Sequence, residues 1–169
     1  LDLGFFEVDS EVEKNTLEAL KKFQSLGATI TEVKLNWKQD EINSVCFSHY
    51  ANSFYGLISK LSDVDKEQLT NYAQMFAEVP ELHFKALQNN KKLYHDKIGA
   101  YVGYGVVESA EITGRMYSEL GPILDNFDLF ICPTNALPAV KADIDIINDD
   151  VIINNKIQQC ADFSWVMSH

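Results

Sequence analysis

The strongest constraint on this chain is a helix-period segment joined through one glycine to a strand-period segment near its start. Val12, Thr16, Ala19, Leu20, Phe23 and Leu26 recur at helical spacing after Asp9-Ser10, which can supply an N-cap, and Gly27 follows as a stop. The spacing predicts a helix over Glu11 to Leu26. "ATITEVKL", residues 28–35, then alternates with Ile30, Val33 and Leu35 apolar, and the opening "LGFFEV" is apolar too. Strand, helix, strand is the beginning of an α/β unit.

Ile42, Val45, Cys46, His49, Ser53, Leu57 and Leu61 predict a second helix from Asp40 with these residues on one face. A third is predicted from Leu69, Tyr72, Ala73 and Phe76, with Pro80 as its stop. From Glu81 to Pro122 helical spacing returns. Gly99, Gly103 and Gly105 each cost about 1 kcal/mol in a helix, so two helices or one bent helix are expected there, ended by Gly121-Pro122. "DLFI" then reads as a short buried strand, and "IDIIND" with "DVIINNK" as a weak hairpin turning near Asn148-Asp149. The expected architecture is a single α/β domain over residues 1–169, with a helix-rich middle.

Fourteen basic and twenty-five acidic side chains give a net charge of −11, so a nucleic-acid backbone would meet general repulsion. No apolar run reaches the roughly 18 residues that cross a bilayer. Neither nucleic acid nor membrane is expected as a partner. Cys46, Cys132 and Cys160 are widely spaced and odd in number, which fits free thiols in a reducing, cytoplasmic compartment.

Cys46 and His49 lie three apart on a helix, but neither His83 nor His95 completes a ligand set, so a core cysteine beside a histidine is the expected role. Asp63, Asp65, Lys66 and Glu67 lack the alternation and central glycine of a calcium loop and read as a helix start. Tyr94, Tyr101, Tyr104 and Tyr117 follow no basic stripe and read as packing residues. Serine, histidine and acid are present without a Gly-x-Ser-x-Gly elbow. No metal or cofactor is implied.

"DLFICPTNALPAV", Asp128 to Val140, holds the remaining candidates. Pro133 has no N–H for a central ladder, so the chain leaves the sheet there, and α/β folds gather ligands beyond the carboxyl ends of strands. Thr134 and Asn135 therefore stand where a binding loop would be, with a rigid structural turn as the equally weighted alternative. Cys132 has no local base, glycine loop or other aid that would make its thiol reactive.

"GRMYSELGPILDNFDLFICPTNALPAV", Gly114 to Val140, resembles the late segment of the amidase signature family, in which a strand runs into Cys-Pro-Thr and Pro-Ala. "DLGFFEVDSEVEKNTLEALKKFQSLGATITEV" is similar to that family's strand, helix and strand after its catalytic core, and "FSWVM" resembles the segment after the Pro-Ala loop. The helical middle is not distinctive. The resemblance implies part of the amidase signature fold, with helices on a mixed β-sheet. It also implies amide hydrolysis by a serine nucleophile, a second serine and a lysine, which lie in a Lys-bearing strand and a Gly/Ser-rich region. This chain has no such loop, so no catalytic residue is carried onto it. The expectation is the C-terminal part of an amidase, inactive alone, with Cys132, Pro133, Thr134 and Asn135 on the small-molecule amide substrate's cleft.

Two departures stand out. The family continues past its "WV" segment into a Pro/Asn/Gly-containing loop where this chain ends, and Asn154-Asn155 replaces a common Asn-Gly turn. Two other readings compete: the subunit that amidates mischarged tRNA, to which a charge of −11 gives no help, and a non-catalytic helical interaction domain. A part of a larger sheet would leave apolar surface and strand edges open, so self-association near Phe5 or Ile152 is expected.

Overall fold

The computed structural model describes residues 1–145 and 147–158. In chain order these form helices α1 (Ser10–Ser25), α2 (Gln39–Ile58), α3 (Asp63–Glu67) and α4 (Asn71–Gln88), strands β1 (Leu93–His95) and β2 (Ala100–Val102), helix α5 (Val106–Leu124), and strands β3 (Val151–Ile153) and β4 (Lys156–Gln158). Helices and strands are mixed, as an α/β reading requires. Among the described residues the strands form two separate antiparallel hairpins, β1–β2 and β3–β4, rather than one mixed sheet.

Asp9 caps α1 through its carboxylate, which accepts from the Glu11 amide at 2.8 Å. At the other end Gly27 adopts φ 96°, its N–H reaches the Gln24 carbonyl and the Ala28 N–H reaches that of Phe23, the two bonds of a Schellman close. Both expected helix signals are used. Yet α1 buries no residue fully, and Leu26 is 84% exposed.

The three strand-like segments are neighbours without a ladder. A Cβ built on Gly4 would lie 3.8 Å from the Leu35 carbonyl oxygen, and the Asp9 amide donates to the Ala136 carbonyl at 2.7 Å. The opening segment thus runs between residues 28–35 and 128–136. A strand is defined by its partner's hydrogen bonds, and here the opening turns on itself, with Phe5 and Phe6 amides both donating to the Asp2 carbonyl and positive φ at Leu3 and Gly4.

The main core lies where α2 and α4 cross the β1–β2 hairpin: Phe47, Met75, Val79, Ala86, Ile98, Ala100 and Val102 are buried together. The face of α2 turned inward is Asn43, Ser44, Phe47, Ser48 and Ala51, not the expected Ile42, Val45, Cys46, His49 and Leu57 stripe. The polar members cover the outer edge of β2. Asn43 Nδ2 donates to the Gly99 carbonyl at 3.3 Å, the Tyr101 amide donates to Ser44 Oγ at 3.0 Å, and from α4 His83 Nδ1 accepts the Gly103 amide at 3.2 Å. Backbone groups buried without water must find partners, and these side chains act where a third strand otherwise would.

Both helix-internal prolines depart from expectation. Pro80 sits buried inside α4 rather than ending it, because the Val79, Pro80 and His83 face is held in the core against α2; tertiary packing overrides a local cost of about 3 kcal/mol. Pro122 lies in the last turn of α5, which runs on to Leu124. The glycines at 99 and 103 do break the helical run, but into a hairpin. Both take positive φ, and a Cβ on Gly103 would stand 2.3 Å from the Lys91 carbonyl oxygen. The second hairpin turns at Asn154-Asn155, with φ 51° and 63° as a two-residue type I′ loop needs, rather than at Asn148-Asp149.

Candidate functional site

Residues 128–136 leave α5 and run beside the opening segment. Pro133 and Ala136 are buried, Cys132 is half-buried, and Thr134 and Asn135 are exposed. Burial pushes the Cys132 thiol above its ordinary range, so it is held as the unreactive acid. The structure thus keeps Cys132 and Pro133 inward and presents Thr134 and Asn135 to solvent.

The β3–β4 hairpin fixes this stretch from behind. Val151 and Ile153 pack on Ala136, with Leu137 and Ile144 against them. Lys156 pairs with Glu7, and Asn154 Nδ2 donates both to Glu7 Oε2 at 3.2 Å and to the Val8 carbonyl at 3.1 Å. Those bonds from Lys156 and Asn154 hold the Glu7 carboxyl below its usual range.

Between the two elements is an open cleft of about 510 Å³, lined by Leu137 to Lys141 on one side and Val151 to Ile153 on the other, with Asp9, Asp143, Ile144, Asp149 and Asp150. Its volume suits a small organic molecule. Cys132, Pro133, Thr134 and Asn135 precede this wall and are not part of it. Asp9 is committed to capping α1, and Asp149 accepts the Asp145 amide at 2.9 Å.

A second open cleft, about 370 Å³, lies between α4 and the β1–β2 turn, with Met75, Glu78, His95, Lys97 and Ile147 among its walls. A hydrogen-bonded strap closes one side: Asn71 and Asn148 both donate to Asp145 Oδ2, and Lys97 Nζ reaches Asn148 Oδ1 at 3.0 Å. These bonds from Asn148 and Asn71 lower the Asp145 pKa. The strap escaped sequence reading because its members are distant in sequence; only the Asp145-to-Asn148 spacing, typical of a side-chain-closed turn, hints at it.

The other candidates resolve simply. Cys46 is half-buried, with its pKa pushed up to about 11 by burial, while His49 is exposed. Among the described residues no three His, Cys, Asp or Glu side chains converge as a metal site. Ser62 caps α3 by accepting the Asp65 amide, so the Asp63 to Glu67 run is a helix start. Tyr94 and Tyr101 form a cross-strand pair at 5.0 Å, the Lys92 ammonium lies 4.5 Å from the Tyr104 ring, and Tyr117 covers Gly121. No described helix is long and apolar enough to cross a membrane. Cys160 and "FSWVM" lie outside the described residues.

Comparison with protein-family models, with curated proteins and with solved structures yields no match to this chain.

Proposed function

We propose that this chain is the C-terminal part of an amidase-signature hydrolase, whose serine, second serine and lysine lie outside it, and that Cys132, Pro133, Thr134 and Asn135 stand at the approach to the amide substrate's cleft, which Leu137 to Lys141 wall. The supporting residues are Gly114 to Val140 and the opening residues 2–33, which resemble the family in sequence. The observation that carries the reading is the Asp9 amide bound to the Ala136 carbonyl at 2.7 Å. It brings the opening segment alongside the Cys-Pro-Thr segment, next to a cleft of small-molecule size. Two strand-like segments in contact with one shared hydrogen bond are what an incomplete sheet layer leaves.

In this reading Pro133 ends the strand, Thr134 and Asn135 offer hydroxyl and amide groups to the substrate, and Cys132 anchors the turn as a buried thiol. The substrate is a small amide rather than a mischarged tRNA, because a net charge of −11 opposes a polyanion. The free thiols of Cys46 and Cys132 suit a reducing, cytoplasmic setting.

The test is treatment of the isolated chain with a serine-directed fluorophosphonate and with simple amides. No labelling and no turnover above a heat-treated control are expected. Labelling of any serine within residues 1–169 would overturn the assignment of the chemistry to another part of the protein.

A further inference from the structure

The seam between α4 and the β1–β2 hairpin is closed by a contact that one proton undoes. His83 on α4 is fully buried, and its Nδ1 accepts the Gly103 amide at 3.2 Å. A ring nitrogen that accepts carries no hydrogen, so the neutral imidazole bears its proton on Nε2. That nitrogen is buried as well and has no partner among the described residues. One bond therefore fixes the tautomer, in surroundings that offer nothing to a second N–H.

No anion stands ready to pair with an imidazolium there. Among the described residues, the side chains that α2, α4 and β2 bury in this core include no other titratable group. The half-buried groups of these elements are the neutral thiol of Cys46 and phenol of Tyr50 on α2, and the phenols of Tyr101 and Tyr104 on the hairpin side. Glu81 and Lys85 on α4 and Lys91 and Lys92 before β1 are exposed, and His95 lies at the far, turn end of the hairpin. Burial alone lowers the His83 pKa.

We propose that His83 is an acid-sensitive latch: its protonation parts the Gly103 end of β2 from α4 while the hairpin stays bonded to α2. The incoming proton takes the Nδ1 lone pair that accepts the Gly103 N–H. Two N–H groups then face each other, the bond is lost, and the charged ring must reach water. On the α2 side, the bonds from Asn43 to the Gly99 carbonyl and from the Tyr101 amide to Ser44 involve no titratable group, so acid leaves them intact. Gly103 and Gly105 flank Tyr104 between β2 and α5, and glycine absorbs the backbone change that such a parting needs.

Residue-resolved amide hydrogen exchange on the full chain, across neutral and mildly acid pH, tests this. Corrected for the intrinsic rate at each pH, protection of the Gly103 amide should fall about tenfold per pH unit below about 6.5, where an imidazole freed from the core takes up its proton. That amide should also be at least about tenfold less protected than the Tyr101 amide, and low denaturant should hardly change its exchange, as for a local opening. Imidazole nitrogen NMR shifts should show His83 as the Nε2–H tautomer at neutral pH. In His83→Gln, which can still accept the Gly103 amide, the pH dependence should vanish; if that variant does not fold, the wild-type exchange and tautomer decide the matter. Gly103 protection that ignores pH overturns the proposal, and so does an Nδ1–H tautomer. Equal protection at Gly103 and Tyr101 with the same denaturant dependence overturns it too, because the seam then opens only with the whole fold. None of these readouts depends on the amidase reading, which covalent labelling tests.

Discussion

The Tyr101 amide donates to the Ser44 hydroxyl at 3.0 Å, across the seam between β2 and α2. Ser44 is fully buried, and its own hydroxyl donates back to the Asp40 carbonyl. Ser44→Ala leaves the Tyr101 N–H buried without a partner, which costs about 1–3 kcal/mol. Denaturant titration should show a lower midpoint with the slope unchanged; an unchanged midpoint would mean that water replaces the hydroxyl.

Gly103→Ala should be far more damaging. Its φ of 97° and the 2.3 Å approach of the Lys91 carbonyl to a built Cβ leave no room for a methyl group, and backbone cannot yield as a side-chain end does. We expect failure to fold, or a melting transition at least several degrees lower. Gly105→Ala, where a Cβ meets nothing within 4 Å, should melt near the wild type.

Stability should fall in acid in two separate windows. His83 is fully buried, accepts the Gly103 amide through Nδ1, and has Nε2 without a partner among the described residues. Burial lowers its pKa. The unfolded chain therefore takes up a proton first, near pH 6.5, while the folded chain stays neutral, so the stability contributed above that pH is lost as pH falls toward the folded value. One proton sets a slope approaching about 1.4 kcal/mol per pH unit. His83→Gln, which keeps an acceptor for Gly103, should abolish this slope. Glu7 and Asp145, whose pKa values are lowered by their hydrogen bonds, contribute fully above the ordinary carboxylate pKa, and that contribution is lost at lower pH, as pH falls from there through their lowered folded values.

Under the proposed amidase reading, Thr134→Val and Asn135→Ala in the longer protein should weaken amide turnover without moving the melting temperature, because both side chains are exposed. A KM effect of about tenfold, from one lost hydrogen bond, is the expected scale. Unchanged kinetics in both variants would reduce residues 133–135 to a structural turn.

Local signals in the sequence were legible where the chain alone sets the geometry. The Asp9 cap, the Gly27 close, the helix start at Asp63 to Glu67 and the positive φ tolerated at Asn154-Asn155 all depend on a few adjacent residues. What depends on partners was not. The inward face of α2 is polar because the β2 edge needs hydrogen bonds at Gly99 and Tyr101, a demand invisible in α2's own pattern. Pro80 remains helical because the packing of α4 on α2 outweighs its local cost. Residues 28–35 and 128–131 have strand composition but no ladder, since strand pairing is a property of two segments and not of one. The Thr134-Asn135 stretch was legible from Pro133 and the apolar run before it, whereas the cleft beyond it draws on Asp143, Ile144, Asp149 and Asp150 and on Val151 to Ile153 of the second hairpin.

The most direct measurement joins this chain to whatever its gene encodes upstream of the Leu1 codon and treats the product with a fluorophosphonate. The account predicts a Gly/Ser-rich segment preceded by a lysine, covalent labelling of a serine within that segment, and amide turnover that the 169-residue chain lacks. An unrelated upstream sequence, or a labelled serine between residues 1 and 169, would contradict it.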